Sequence, residues 1–283
     1  MSVATLFTPA PAAVAPAGSG DFKGGHYYGQ DDAGNWIPLY APGKNFTLRE
    51  ARKLHADGKV AAPSVTTYMG TIAKPQLDQW KQENVAKACW AQHFASTIWH
   101  GEDEWVYAAL ATASGASKGA MDLGTQIHGA IENFVGGVDY DADMQVYVDA
   151  VAKERTRLGI TKSYPEISIG SLKYGYAGRC DDHTDDLLIL DYKSRKSTGK
   201  KKVASYETDS VQLAAYGFAR FGNEFFKSGR GAIFAISTTE PGLVTVHEWT
   251  GAALVQPFEA FLAMTAVWRF TNNFDPRRSI TGT

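Results

Sequence analysis

Cysteine is nearly missing from this 283-residue chain: Cys89 and Cys180 are the only two, far apart in sequence. Two thiols cannot supply a four-cysteine iron–sulfur cluster, and their spacing is not that of a metal site. They say little about a disulfide, so a reducing cytoplasm is the default expectation. A long uninterrupted apolar run is also missing, and no membrane span is expected. Nor is there an excess of one charge. Lys plus Arg is 28 and Asp plus Glu is 30, a net charge of −2, so any surface that meets nucleic acid has to concentrate its cations locally. The first twenty residues lack the basic start and continuous apolar stretch of a secretory signal, because Pro9, Pro11 and Pro16 interrupt them.

What is present is an ordinary globular composition, 44% hydrophobic and 20% charged. Residues 1–22 read as a flexible tail and 23–283 as a single domain. Within it, 23–160 is mainly helical behind an N-terminal hairpin, and 161–283 is an α/β core. The hairpin is expected over His26–Tyr40, and Thr47 with Glu50 forms a capping box for a short helix that Gly58 ends. Helices are expected over about Pro75–Ser96, Glu102–Ala113, Ala120–Phe134 and Asp143–Leu158, with Gly115 and Gly119 breaking the second from the third. From Tyr164 the pattern becomes β-β-β-α-β-β-α. Its parts are a three-stranded meander, a basic loop from Ser194 to Lys202, a helix over about Tyr206–Phe226, a hairpin across Pro241–Gly242 and a last helix over about Ala252–Asn272. This order predicts a mixed α/β fold, a mixed sheet flanked by helices.

The chemistry concentrates in Gly178–Lys193, GRCDDHTDDLLILDYK. A hairpin turning near Asp186 puts Asp181 opposite Asp191, with Cβ atoms roughly 5 Å apart. Two carboxylates that close repel each other and form a natural cradle for a hard divalent ion such as Mg²⁺ or Mn²⁺. Lys193, two residues on, shares the face of Asp191. The apolar run Leu187–Leu190 marks a central strand, so a charge at its end must be paired or functional. The plain alternative is a solvated strand end. His128 and Glu132 share a helix face, one turn after Gly124. Imidazole can complete a metal shell or contact phosphate, although a lone helix histidine more commonly serves a local role. Glu166 could add a third carboxylate or face water from an edge strand. Gln212 and Tyr216, again one turn apart, could orient a phosphate or brace Lys193.

In this order and spacing the motifs GTQIH, GRCD, LDYK and QLAAY resemble the RecB-like branch of the PD-(D/E)XK nucleases. The stretch PSVTTYMG and the following helix with Leu77 and Trp80 look like the mitochondrial genome-maintenance exonucleases and phage-encoded relatives. The resemblance covers roughly Pro63–Trp249. It implies a restriction-endonuclease-like core and a metal-dependent DNA exonuclease acting in phage or bacterial replication, recombination or repair, in the cytoplasm. One or two Mg²⁺ or Mn²⁺ ions would be bound by His128, Asp181, Asp191 and the carbonyl of Tyr192. Lys193 would be catalytic, and Glu166 matches a common acidic position. Unlike several relatives, this chain cannot carry an iron–sulfur cluster.

For DNA contacts the sequence offers Arg195, Lys196, Lys200, Lys201 and Lys202 after the catalytic strand, with Arg179 and Lys173 as further cations. Tyr68, Trp80, Tyr174 and Tyr176 are candidates for stacking on unpaired bases. Single-stranded or double-stranded DNA ends are the expected substrate, and a single-strand-annealing or replication protein is a compatible partner. Rival readings stay open: a catalytically inactive DNA-binding module, a structural phage protein, or a restriction-type endonuclease. The last is disfavoured because no separate target-recognition domain is visible.

Overall fold

The computed structural model describes residues 26–41, 46–73, 75–94, 101–197, 199 and 202–277. The tail, Lys200 and Lys201 lie outside them. The N-terminal hairpin forms as expected: β1 (Tyr27–Gln30) pairs antiparallel with β2 (Trp36–Leu39), and β3 (Ala62–Pro63) adds to the other edge of β1. Helix α1 (Leu48–Ala56) begins at the Thr47–Glu50 capping box, both halves of which are made. A short helix α2 (Val65–Met69) follows, capped by the Ser64 side chain, and then α3 (Pro75–His93).

Helix α4 corrects the expectation of a break. It runs unbroken from Glu102 to Val135, 34 residues, or about 50 Å at 1.5 Å per residue. A helix-interior glycine costs about 1 kcal/mol relative to alanine, which weakens a helix without ending one. Helix α5 (Gln145–Arg157) leads into the core.

The core is a five-stranded mixed sheet in the order β4-β5-β6-β7-β8, comprising β4 (Tyr164–Ser171), β5 (Tyr176–His183), β6 (Leu188–Arg195), β7 (Arg230–Ser237) and β8 (Val244–Thr250). The meander β4-β5-β6 and the hairpin β7-β8 are antiparallel, and β6 and β7 are parallel. Between β6 and β7 the chain crosses through α6 (Glu207–Phe221) and α7 (Glu224–Ser228). These are two helices where one was expected, because Gly222 turns at φ 63°. Helix α8 (Val255–Asn272) closes the described chain after a short 3₁₀ turn.

The alternation of β6 divides the core. Leu188, Leu190 and Tyr192 pack with Ile127 and Ile131 of α4 and Val148 and Val151 of α5. Ile189 faces the other way, into a cluster with Leu213 of α6 and Phe261 of α8. Both faces of the central strand are therefore covered, which is why its sequence is a continuous apolar run. The absence of a membrane-length segment needs correcting too. Gly251–Asn272, 22 residues with mean hydropathy 1.2, meets the length and composition of a span. One face of it packs into the core, with Phe258, Phe261, Met264 and Trp268 buried, while Val267 and Phe270 are exposed.

On the α5 side a polar network is sealed in the core. Asp182, with no exposure, accepts from Arg155, from Ser163 Oγ at 3.0 Å and from Tyr192 Oη at 3.1 Å, and Arg155 also meets Tyr192 Oη at 2.5 Å. Removing one partner of a buried ion pair strands the other charge. Arg155→Met is expected to cost about 3–5 kcal/mol in urea unfolding. Adding Asp182→Asn should return most of that loss, and an Arg155→Met protein of wild-type stability would refute the buried pair.

Candidate metal and catalytic site

Strands β5 and β6 pair at only two positions, Asp182↔Leu190 and His183↔Ile189. One step further that register sets Asp181 opposite Asp191. There the ladder stops, because the Tyr192 N–H donates to Asp181 Oδ2 at 2.9 Å instead of to a main-chain carbonyl. The cleft that opens is entered by three neighbouring elements. Helix α4 brings His128, whose Nε2 lies 3.5 Å from Asp181 Oδ2 and 3.6 Å from Glu166 Oε1. Strand β4 brings Glu166, and α6 brings Gln212.

Donor atoms of His128, Glu166 and Asp181 lie within 4.8 Å of one another, a spacing one ion can span. Asp191 sits deeper and is fully buried. Its Oδ1 accepts from Lys193 Nζ at 3.0 Å and Gln212 Nε2 at 2.9 Å. Its Oδ2 lies 2.7 Å from the same ammonium, off the line of a hydrogen bond, and accepts none. The compact trio thus contains Glu166, and Asp191 stands behind it, joined to Lys193.

Burial and mutual repulsion dominate the electrostatics. Burial first, then Asp181, pushes the Asp191 carboxyl up to about 7. Burial likewise raises Asp181 and pushes Glu166 up to about 8, against the pull of Lys193 and Arg179 respectively. Burial lowers His128, which favours the neutral imidazole. For Lys193, burial disfavours the ammonium, but Asp191 and Asp181 outweigh it and hold the pKa above the ordinary lysine value.

The remaining expected residues fall into place unevenly. Gln212 braces Asp191, donating to the same Oδ1 that accepts from Lys193. Tyr216 is buried with its ring over Gly178, where an added Cβ would meet ring atoms at 2.8 Å. This close approach explains the glycine three residues before Asp181. Gly124 on α4 differs: a Cβ added there would meet Ser194 Cβ of β6 at 3.5 Å, an ordinary packing contact, so space alone does not demand the glycine. Arg195 is no free phosphate ligand: it is bonded to Asp209 Oδ1 and the Ala204 carbonyl, both at 2.6 Å, and lies over Tyr206. Tyr68 and Tyr176 are fully buried and offer no face to a base; their hydroxyls donate to the carbonyls of Gly175 and Ala215. Tyr174 packs its ring against Phe218 and Phe258. Trp80 is half-buried on α3, Lys173 lies over the Tyr174 ring, and Lys196 and Lys202 are exposed. Arg179 is engaged with Glu166 and, at 3.2 Å, with Glu132. That double pairing escaped the sequence reading, which used Glu132 only as the helix partner of His128.

No family model matches this chain, and no curated protein does. Among solved structures it is similar to a candidate exonuclease of Eubacterium rectale, at 12% identity and TM-score 0.40, over 56% of this chain and 72% of the other. It is also similar to the protein SSO0001, at 13% identity and TM-score 0.27, over 68% of this chain and 88% of the other.

The Gly178–Tyr216 contact gives a direct test. Gly178→Ala forces the ring or strand β5 to shift, and overpacking of this kind costs about 1–3 kcal/mol. Urea unfolding should show that loss, and it should shrink when Tyr216→Leu is added. Equal losses in both backgrounds would mean the ring is not what the glycine accommodates.

Proposed function

We propose that this chain is a metal-dependent deoxyribonuclease acting on DNA ends. The carrying observation is the meeting of His128, Glu166 and Asp181 within 4.8 Å, beside a lysine bonded to a buried aspartate. The four ordered motifs that resemble RecB-like nucleases meet at this cleft: GTQIH and GRCD bring His128 and Asp181, LDYK brings Asp191 and Lys193, and QLAAY braces Asp191 with Gln212 and packs Tyr216 over Gly178. The donor set fits a hard divalent ion. Counting Glu132, Glu166, Asp181 and Asp191 against Arg179 and Lys193, the cleft holds four carboxylates and two cations. With all four ionised, as an incoming cation would favour by displacing the protons that burial favours on Glu166 and Asp191, the deficit of two charges matches one Mg²⁺ or Mn²⁺, and oxygen with imidazole donors suits either ion.

His128, Glu166 and Asp181 would hold the ion, with Asp191 and the Tyr192 carbonyl able to complete its surroundings. When bound, such an ion supplies charge neutralisation at the phosphate and a lower pKa for water. The chain's own residues do the rest. Asp191 and Asp181 keep Lys193 protonated, so it acts by donating. It holds the attacking water or a non-bridging phosphate oxygen as negative charge builds during in-line displacement. Gln212 fixes Asp191 and through it the ammonium. The new P–O bond comes from water, which gives a proton to solvent, while the opposite P–O bond breaks and its departing oxygen takes a proton from solvent, leaving a free hydroxyl. Lys196 and Lys202, exposed beyond the catalytic strand, are placed to neutralise the DNA backbone. Exonuclease action is preferred on the resemblance of the motifs to the genome-maintenance exonucleases.

Two measurements test this reading. Mn²⁺ at about 100 times its dissociation constant should stabilise the protein by about 2.7 kcal/mol in thermal unfolding, and Asp181→Asn should abolish the gain. End-labelled linear DNA should be degraded only with Mg²⁺ or Mn²⁺ while circular DNA survives. Lys193→Ala should slow that cleavage at least about 100-fold with DNA binding retained. Binding without cleavage by the wild type would favour the inactive module, and full activity of Lys193→Ala would falsify the lysine's role.

A further inference from the structure

Glu166 is an unusual residue to find at a metal cradle. It stands in a strand with φ 57°, a left-handed value that glycine takes far more readily. The β4–β5 register passes from Pro165↔Asp182 to Ile167↔Cys180, so Glu166 faces Asp181 where two like charges meet. Something must hold its side chain there. Its two oxygens are divided: Oε1 lies 3.6 Å from His128 Nε2, inside the cradle, and Oε2 is paired with the Nε of Arg179. The other arm of that guanidinium, Nη2, reaches Glu132 Oε1 at 3.2 Å. Glu132 in turn sits one helical turn beyond His128 on α4.

We propose that Arg179 is a positioning residue which, anchored by Glu132, turns Glu166 so that one carboxylate oxygen is presented to a divalent ion beside His128 and Asp181. The planar fork of arginine suits this task, because it can meet one carboxylate with Nε while holding another with a terminal nitrogen. Lysine, a single ammonium, cannot span both. Helix α4 then delivers two parts at once: His128 as a donor, and Glu132 as the brace of the residue that aims the next donor.

A competing effect acts in the opposite direction. A positive charge beside a cation site repels the cation, so deleting Arg179 could tighten binding. Arg179, however, is already paired with two carboxylates, and its side chain is 45% exposed, so solvent screens it. Loss of groups that orient metal ligands typically weakens affinity by 10- to 100-fold. Orientation therefore outweighs repulsion, and the sign of the effect separates the two.

This inference rests on the metal-site reading above, and the experiment keeps the two apart. The readout is Mn²⁺ affinity of the full chain by titration calorimetry, without DNA or turnover. Wild type should bind Mn²⁺, and Arg179→Met should bind it at least tenfold more weakly. Arg179→Lys should fall between them, and Glu132→Gln should show a smaller loss. In a Glu166→Gln background the Arg179→Met loss should vanish, because its target is gone; residues acting through one another are non-additive. A full tenfold loss in that background would assign Arg179 a general structural role and overturn the proposal. So would unchanged or tighter binding in Arg179→Met alone. No Mn²⁺ uptake by wild type would sink the metal site and the relay together, whereas uptake with an additive cycle would sink only the relay.

Discussion

The structure turns on a fully buried carboxylate. Strand β6 runs through the middle of the sheet with helices on both faces, and Asp191 lies on it with no exposure. A buried charge must be paired and hydrogen-bonded or it takes up a proton. Lys193 and Gln212 meet it from the same strand and from α6. The antiparallel meander then brings a second carboxylate, Asp181, to the same level, and the backbone N–H of Tyr192 turns from the ladder to receive it. The cleft therefore follows directly from burying like charges together: β5 and β6 separate where side-chain electrostatics replaces main-chain pairing.

Adjacent aspartates on β5 show how differently the fold treats two carboxylates. Asp182 is closed off among Arg155, Ser163 and Tyr192, whose donors all converge on its Oδ2. Asp181 has one main-chain donor and otherwise faces Glu166, His128 and Asp191. A guanidinium neutralises the first, and its place in the molecule is explained by stability. The second is left among carboxylates, opposed by the Lys193 ammonium and the Tyr192 N–H. The alternation of a strand delivers both outcomes from neighbouring residues, one to each side of the sheet.

Much of this was legible from local pattern. The capping box at Thr47, the meander, the opposition of Asp181 and Asp191 and the i, i+2 placement of Lys193 each depend on short-range periodicity, and the structure places them so. What failed depended on partners far away in sequence. Arg195 opens a basic loop yet is consumed by Asp209, and Tyr68 looks like an available aromatic yet is enclosed by Phe261 and Trp268. Gly115 reads as a helix breaker until the tertiary packing of α4 outweighs the cost of a flexible residue. Gly178 marked a motif, but only the Tyr216 ring above it gives the physical reason. The membrane-length stretch at the C-terminus shows the same limit, since hydropathy cannot separate a core helix from a spanning one.

The strain at Glu166 links these threads. A non-glycine residue in the left-handed region costs of order 1–3 kcal/mol and persists only where surrounding contacts over-determine it. Those contacts are present: paired strand on either side, Arg179 on one oxygen and His128 facing the other. A fold under no constraint beyond stability would relieve the site by placing glycine or a neutral residue at 166, removing both the backbone strain and the repulsion against Asp181. The chain instead keeps an acid there and spends an arginine and a second acid, Glu132, on steering it. Under the proposed metal site this arrangement has a rationale, because the direction of a metal-ligating carboxylate would then matter more than relief of the strain.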